Sequence, residues 1–270
     1  VDSNANSVAT DGSFNRPLLT LQEGIDKAIA SNGDMVLVKS GHAEPITAQI
    51  DFDKAGVNVR GLGHGTKRPT LSPNGTIDCI DVSAANCTLE NFHFAAPGTT
   101  GQTADVNVDA AGFTLRNCSS LGSATGTTKT AYITITANGD DCLIDGFDGK
   151  NTVVDMVDAI DVAAANRVEI ANCHITGTAA IEAGTSGVIS DSGTAVDLLI
   201  HDCSILTSGT AGEAITLGAS IGLVWDCRYA SGHNTIAEVA TIGSAMDSYQ
   251  SYASVNVSQN AAIAPIVDTE

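Results

Sequence analysis

Apolar and polar residues alternate along this chain in short runs that return at a near-constant interval. The stretch RVEIANCHI (167–175) has counterparts upstream in CTLENFHF (87–94) and FTLRNCSS (113–120), and downstream in LLIHDCSI (198–205) and LVWDCRY (223–229). Alternation of this length predicts a β-strand with one buried face. Aligned on the residue after an Asn, Asp or Gly, the runs anchor at Leu62, Phe92, Cys118, Phe147, Cys173, Cys203 and Cys227, in steps of 30, 26, 29, 26, 30 and 24 residues. The residues just before them, Gly61, Asn91, Asn117, Gly146, Asn172, Asp202 and Asp226, are types that enter the left-handed backbone region at low cost, so each predicts a corner. A second set of strands ends at Val82, Val108, Ile135, Val162, Ile189 and Leu217, in steps of 26, 27, 27, 27 and 28 residues.

Two registers with one period, short strands and no helical half predict coils of a parallel β-helix rather than leucine-rich repeats. The fold class is therefore all-β, a solenoid whose coils stack about 4.8 Å apart. The expected organisation is an arm (1–17), a β-helix with its cap (18–230) and a different terminal element (231–270), where the repeat fades. TLQEGIDKAIA (20–30) predicts an N-terminal capping helix, with Thr20 and Glu23 as a capping box and Leu21, Ile25, Ala28 and Ile29 on its inner face. Such a helix would cover an otherwise open sheet edge. MVLV (35–38) would then begin the winding. Asn91, Asn117 and Asn172 share one corner, where their amides are expected to bond along the rod. Cys118, Cys173, Cys203 and Cys227 share the anchor position and Cys87 and Cys142 another inward one, as small hydrophobes in the reduced state.

The composition fits a narrow aliphatic core, with 43% hydrophobic residues but only 4% aromatic. A formal charge of −19 argues against nucleic acid or an anionic membrane as partner, since both call for a basic face. After residue 150, only Arg167 and Arg228 stand against fourteen Asp and Glu. The polar start VDSNANSVATDGS has no leader-like apolar stretch, so the expectation is a chain made in the cytosol or already processed.

The carboxylate candidates for catalysis are Asp81 and Asp161, flanked by Asp78 and Asp158. By register they lie three coils apart, about 14 Å, whereas glycoside hydrolysis calls for about 5 to 9.5 Å. Asn107 and Thr134 fill the gap. Asp109, Asp140, Asp141 and Asp145 form a second acidic concentration that is either a calcium site or a solvated loop, and the loop is expected. Arg60, Glu90, Arg116 and Asp145 alternate in sign on successive coils, as in a ladder of ion pairs. His93 and His174 are three coils apart, and His42, Glu44 and His64 are expected to hydrogen-bond in the first turns. No metal or cofactor is expected. Four residues before the anchor, the outward position runs Asn58, Thr88, Thr114, Leu143, Glu169, Leu199, Leu223, apolar residues replacing polar ones toward the C-terminal end, with Trp225 nearby. Leu199, Leu223 and Trp225 form the candidate contact patch, to be covered either by a partner or by the chain's own tail.

GDMVLVKSGHAEPI, after the amphipathic helix, resembles the opening of right-handed parallel β-helix proteins of the pectin-lyase-like superfamily, and FDKAGVNVRGLG resembles their first full coil. The stretch GHAEPITAQIDFDKAGVNVRGLGHGTKRPTL is similar to β-helix proteins encoded among phage structural genes. The resemblance covers roughly residues 18–229 and implies a right-handed β-helix, on which lyases, hydrolases, tailspikes and non-catalytic virion proteins are all built. With the carboxylates dispersed, the expectation is a non-catalytic phage virion protein, a capsid decoration or head-associated protein acting by adhesion and reinforcement. Its expected partners are copies of itself, a trimer being favoured, and other virion proteins such as the major capsid protein. The alternative is a tail fibre, tailspike or polysaccharide lyase or hydrolase, with a glycan as ligand.

Overall fold

A computed structural model describes residues 1–5, 10–98, 101–122, 128–151, 156–177, 187–207, 213–218, 220–231, 240–255 and 264–265. Its short strands fall into three sheets. Among the described residues, sheet I has nine strands, from Met35–Val38 to Met246–Tyr249. Sheet II has ten, from Ala43–Ile46 to Tyr252–Val255 and then Ala264–Pro265, and sheet III has eight, from Ile50–Phe52 to Ala240–Ile242. In sheets I and III every strand pairs in parallel with the equivalent strand one coil away, as in Val59↔Leu89 and Leu89↔Leu115. The chain is thus a parallel β-helix, and both sequence registers map onto sheets I and III.

The strands alternate because every second side chain enters a narrow interior. Val59, Leu89, Leu115, Ile144, Ile170, Ile200 and Val224 are all fully buried, as are Phe52, Phe92, Phe94 and Phe113. The corners are left-handed at Asn91, Asn117, Gly146, Asn172, Asp202 and Asp226. Gly61 is an exception to the expectation: it ends a strand, and a Cβ there would meet the Asn91 carbonyl and the Pro69 ring. That glycine is needed for space rather than for its backbone angle.

The helix α1 spans Leu21–Lys27, and its Thr20–Glu23 capping box is formed. Leu21 and Ile25 are buried against the first coil, but Ile29 is 64% exposed. The helix ends at the Ala28 C-cap, so Ile29 lies beyond the helical face to which the sequence assigned it. The winding also continues past Ser231, contrary to the expected change of element there. Met246–Tyr249 pairs with Ile221–Trp225, and Tyr252–Val255 with Arg228–Ser231.

Candidate functional site

Sheet III carries the acidic column. Its outward positions run Asp51, Asp81, Asn107, Thr134, Asp161, Ser190 and Thr216 in continuous register. Asp81 and Asp161 are therefore three strands apart, with Asn107 and Thr134 between them, as the spacing requires. The Asn107 amide donates to Asp81 Oδ1 at 2.7 Å. Asp51, in the IDF run that mirrors both IDV runs, is a member of the column that the sequence reading missed.

The structure groups these acids differently from the Asp81–Asp161 pairing. One group is Asp51, Asp78 and Asp81, where burial and then the Asp81 charge raise the Asp78 pKa. The other is Asp158, Asp161 and Asp191. Burial pushes Asp158 up to about 6, and the Asp161 charge adds to this, while the Ser190 hydroxyl, donating at 2.7 Å, works in the opposite direction. Asp161 is also raised, first by burial, despite hydrogen bonds from Ser192. Its Oδ1 is buried and accepts no hydrogen bond. A carboxyl raised in this way is of the kind that can donate a proton, which sets Asp158 apart from the other acids on this face. Two clefts near the N-terminal end, of about 470 and 510 Å³, are lined by neither acidic group.

The second acidic concentration is taken up within the chain. Asp141 pairs with Arg167, Asp140 accepts from the Asn166 backbone at 2.7 Å, and Asp109 accepts from Thr136 and Asn138. Asp145 lies 3.7 Å from Arg116 and accepts from Asn172. No group of three or more His, Cys, Asp or Glu able to hold a metal ion occurs among the described residues. Arg60 pairs with Glu90 at 3.4 Å, so the alternating charges form two separate pairs.

The asparagine corner also differs in detail. Asn91 donates to the Gly61 and Gly63 carbonyls and Asn172 to Asp145, so each amide bonds the preceding coil instead of another asparagine. Gly146 interrupts the column, which leaves Asn117 and Asn172 out of reach of each other. His42 bonds Glu44 at 2.9 Å, and Glu44 accepts the first helical N–H, from Leu21. His64 is exposed. His93 and His174 are three registers apart in sheet II, and His93 bonds Ser119.

All seven cysteines are free and buried. The thiols of Cys118, Cys173, Cys203 and Cys227 lie 3.1–3.4 Å from the carbonyls of Arg116, Ala171, His201 and Trp225, two residues back, and 3.7–4.0 Å from those of Leu89, Ile144, Ile170 and Ile200, one coil back. Burial pushes Cys118 up to about 12 and Cys142 to about 11, far from the thiolate that reactivity requires.

Two features were not found from the sequence. Lys129 and Asp105 form a fully buried ion pair at 2.7 Å, joined by Ser120 and Gln102. Both residues stand outside the anchor strands, so no periodicity pointed to them. His201 bonds Glu169 at 3.0 Å and Asp202 at 2.7 Å, and it stacks on Trp225 with ring centroids 4.1 Å apart. The adjoining Leu199, Leu223 and Trp225 point outward and are half-buried.

No family model matches the chain, and no curated protein matches it. Among solved structures, it is similar to a rhamnogalacturonan lyase at 11% identity, with a TM-score of 0.47, over 99% of this chain and 88% of that one. It is also similar to Geobacillus virus E2 ORF18 at 10% identity, with a TM-score of 0.41, over 90% of this chain and 59% of the phage protein's length.

Proposed function

We propose that this chain is a non-catalytic structural protein of a bacteriophage virion, a capsid decoration or head-associated protein that works by adhesion and reinforcement. One observation carries the reading: the outward acids of sheet III are interrupted by Asn107 and Thr134. They form no continuous carboxylate track along which a polymeric substrate would lie. A rigid stack with its outward acids split into two separate groups suits a spacer or clamp. The test is to purify particles from infected cells, identify the chain in them by mass spectrometry, and compare the temperatures at which particles with and without it release their DNA. Presence in the particle and a higher release temperature support the reading; absence from washed particles sinks it.

A second reading follows from Asp158. A carboxyl raised to about 6 beside Asp161 fits the acid of a glycoside hydrolase or a tailspike depolymerase. Turnover of an acidic polysaccharide that disappears in Asp161→Ala and in Asp158→Asn would establish it and displace the first.

A further inference from the structure

We infer that the outward face of sheet I over its last three strands is a docking surface for a protein partner with an apolar centre ringed by lysine or arginine. The inference rests on the virion reading for its setting and adds the chemistry of the partner. Three registers build the face: Val196↔Ile221, Leu199↔Leu223, and His201↔Trp225, with Tyr249 next to Trp225. Val196, Ile221 and Tyr249 are 38, 45 and 61% exposed, so the apolar column is open to solvent at both sides of the half-buried leucines. An apolar centre with a polar rim is how a contact surface is built.

The rim is predominantly acidic. Glu169, Asp197, Asp202, Asp226 and Asp247 stand on these strands, on the one before them or at their corners, while the chain has no Lys or Arg from Val168 to Cys227 and none after Arg228. On the N-terminal half of the same sheet the charges are balanced, Arg60 with Glu90 and Arg116 with Asp145. Here, among the described residues, His201 is held between Glu169 and Asp202, and Arg167 offsets Asp197 only at the edge of the face, where it is already paired with Asp141. A second copy docked through the same patch would set these carboxylates against their own kind, which is the arrangement that interfaces avoid. A basic rim removes that repulsion.

Trp225 is the chain's single tryptophan, so its emission reports on this face alone. The probe is a synthetic amphipathic helix of leucine and lysine titrated into the full chain, with a leucine and glutamate peptide as its opposite. Saturable blue-shifted emission with the first peptide only is expected. Leu223→Gln or Ile221→Gln should weaken it on the order of tenfold, with melting unchanged. Asp226→Asn should weaken it more than Asp148→Asn, which removes the same charge from sheet II.

Equal weakening by Asp148→Asn would reduce the effect to diffuse charge and overturn the proposal. So would emission already blue and shielded from iodide in the free chain, which means cover by the chain itself. Dissociation of an oligomer by Leu223→Gln would give the face to a second copy and also overturn it. A chain absent from particles that still binds the probe at Trp225 sinks the virion reading and leaves the patch. A Leu223→Gln chain that loads onto particles normally does the reverse.

Discussion

Cys118, Cys173, Cys203 and Cys227 hold one inward position on four of the coils. The anchor is followed by a turn into sheet II and takes a buried apolar group, a phenyl ring at Phe92 and Phe147 and a thiol on these four coils, where the sulfur lies near a carbonyl of the preceding coil. In native protein, labelling with a disulfide reagent should be slow and should reach all seven thiols only in denaturant; rapid native labelling would contradict this burial. The buried Lys129–Asp105 pair has the opposite character. Lys129→Met alone, leaving Asp105 uncompensated, should destabilise by about 3–5 kcal/mol in urea melts, and Lys129→Met with Asp105→Leu by much less. His201 supplies a pH dependence. Burial alone would lower its pKa, but the hydrogen bonds its ring donates to Asp202 and Glu169 outweigh burial and raise it. Its contribution is then fully present below the unfolded-state pKa and is lost as pH rises through the folded one. Thermal melts across that range should show the loss in the native chain, and a flat profile in His201→Gln. The cysteine column was legible because it repeats, whereas Lys129, Asp105 and His201 each occur once, and Asp105, Glu169 and Trp225 lie far in sequence from the groups they meet.

Elements were legible where their side chains alternate and hidden where they do not. The cap helix was found from Thr20 and Glu23, and Thr20→Ala should lower stability by about 1 kcal/mol, read from the urea midpoint, because one orphan helical N–H loses its acceptor. The last strand of sheet I was missed for a specific reason. Its corner is Gln250, left-handed at φ 51°, and its anchor is the buried Ser251. Neither is of a type that marks the other corners. MDSY also has a single fully buried apolar side chain, Met246, too little for alternation to register. At the candidate site, the register between Asp81 and Asp161 could be counted from the sequence. The company of Asp158 with Ser190 and Asp161 could not, because it depends on how the segment before each strand folds back.

On the scale of the whole chain, each coil touches only its neighbours, so stability is a sum of adjacent contacts rather than the property of one central core. Amide exchange should accordingly be slowest in the middle coils, around Val106–Val108, Ile133–Ile135 and Ile160–Val162, and faster in Met246–Tyr249. Uniform protection along the rod would contradict this. The same stacking has a mechanical side. In all three sheets the strands pair from one coil to the next, and corner bonds run the same way, as from Asn91 N–H to Arg116 C=O and from Asn117 N–H to Asp145 C=O. Traction along the stack therefore puts the same load on every coil junction, and the weakest yields first. Compression closes the same junctions and is borne by every coil at once, so the molecule is a strut and makes a poor tether.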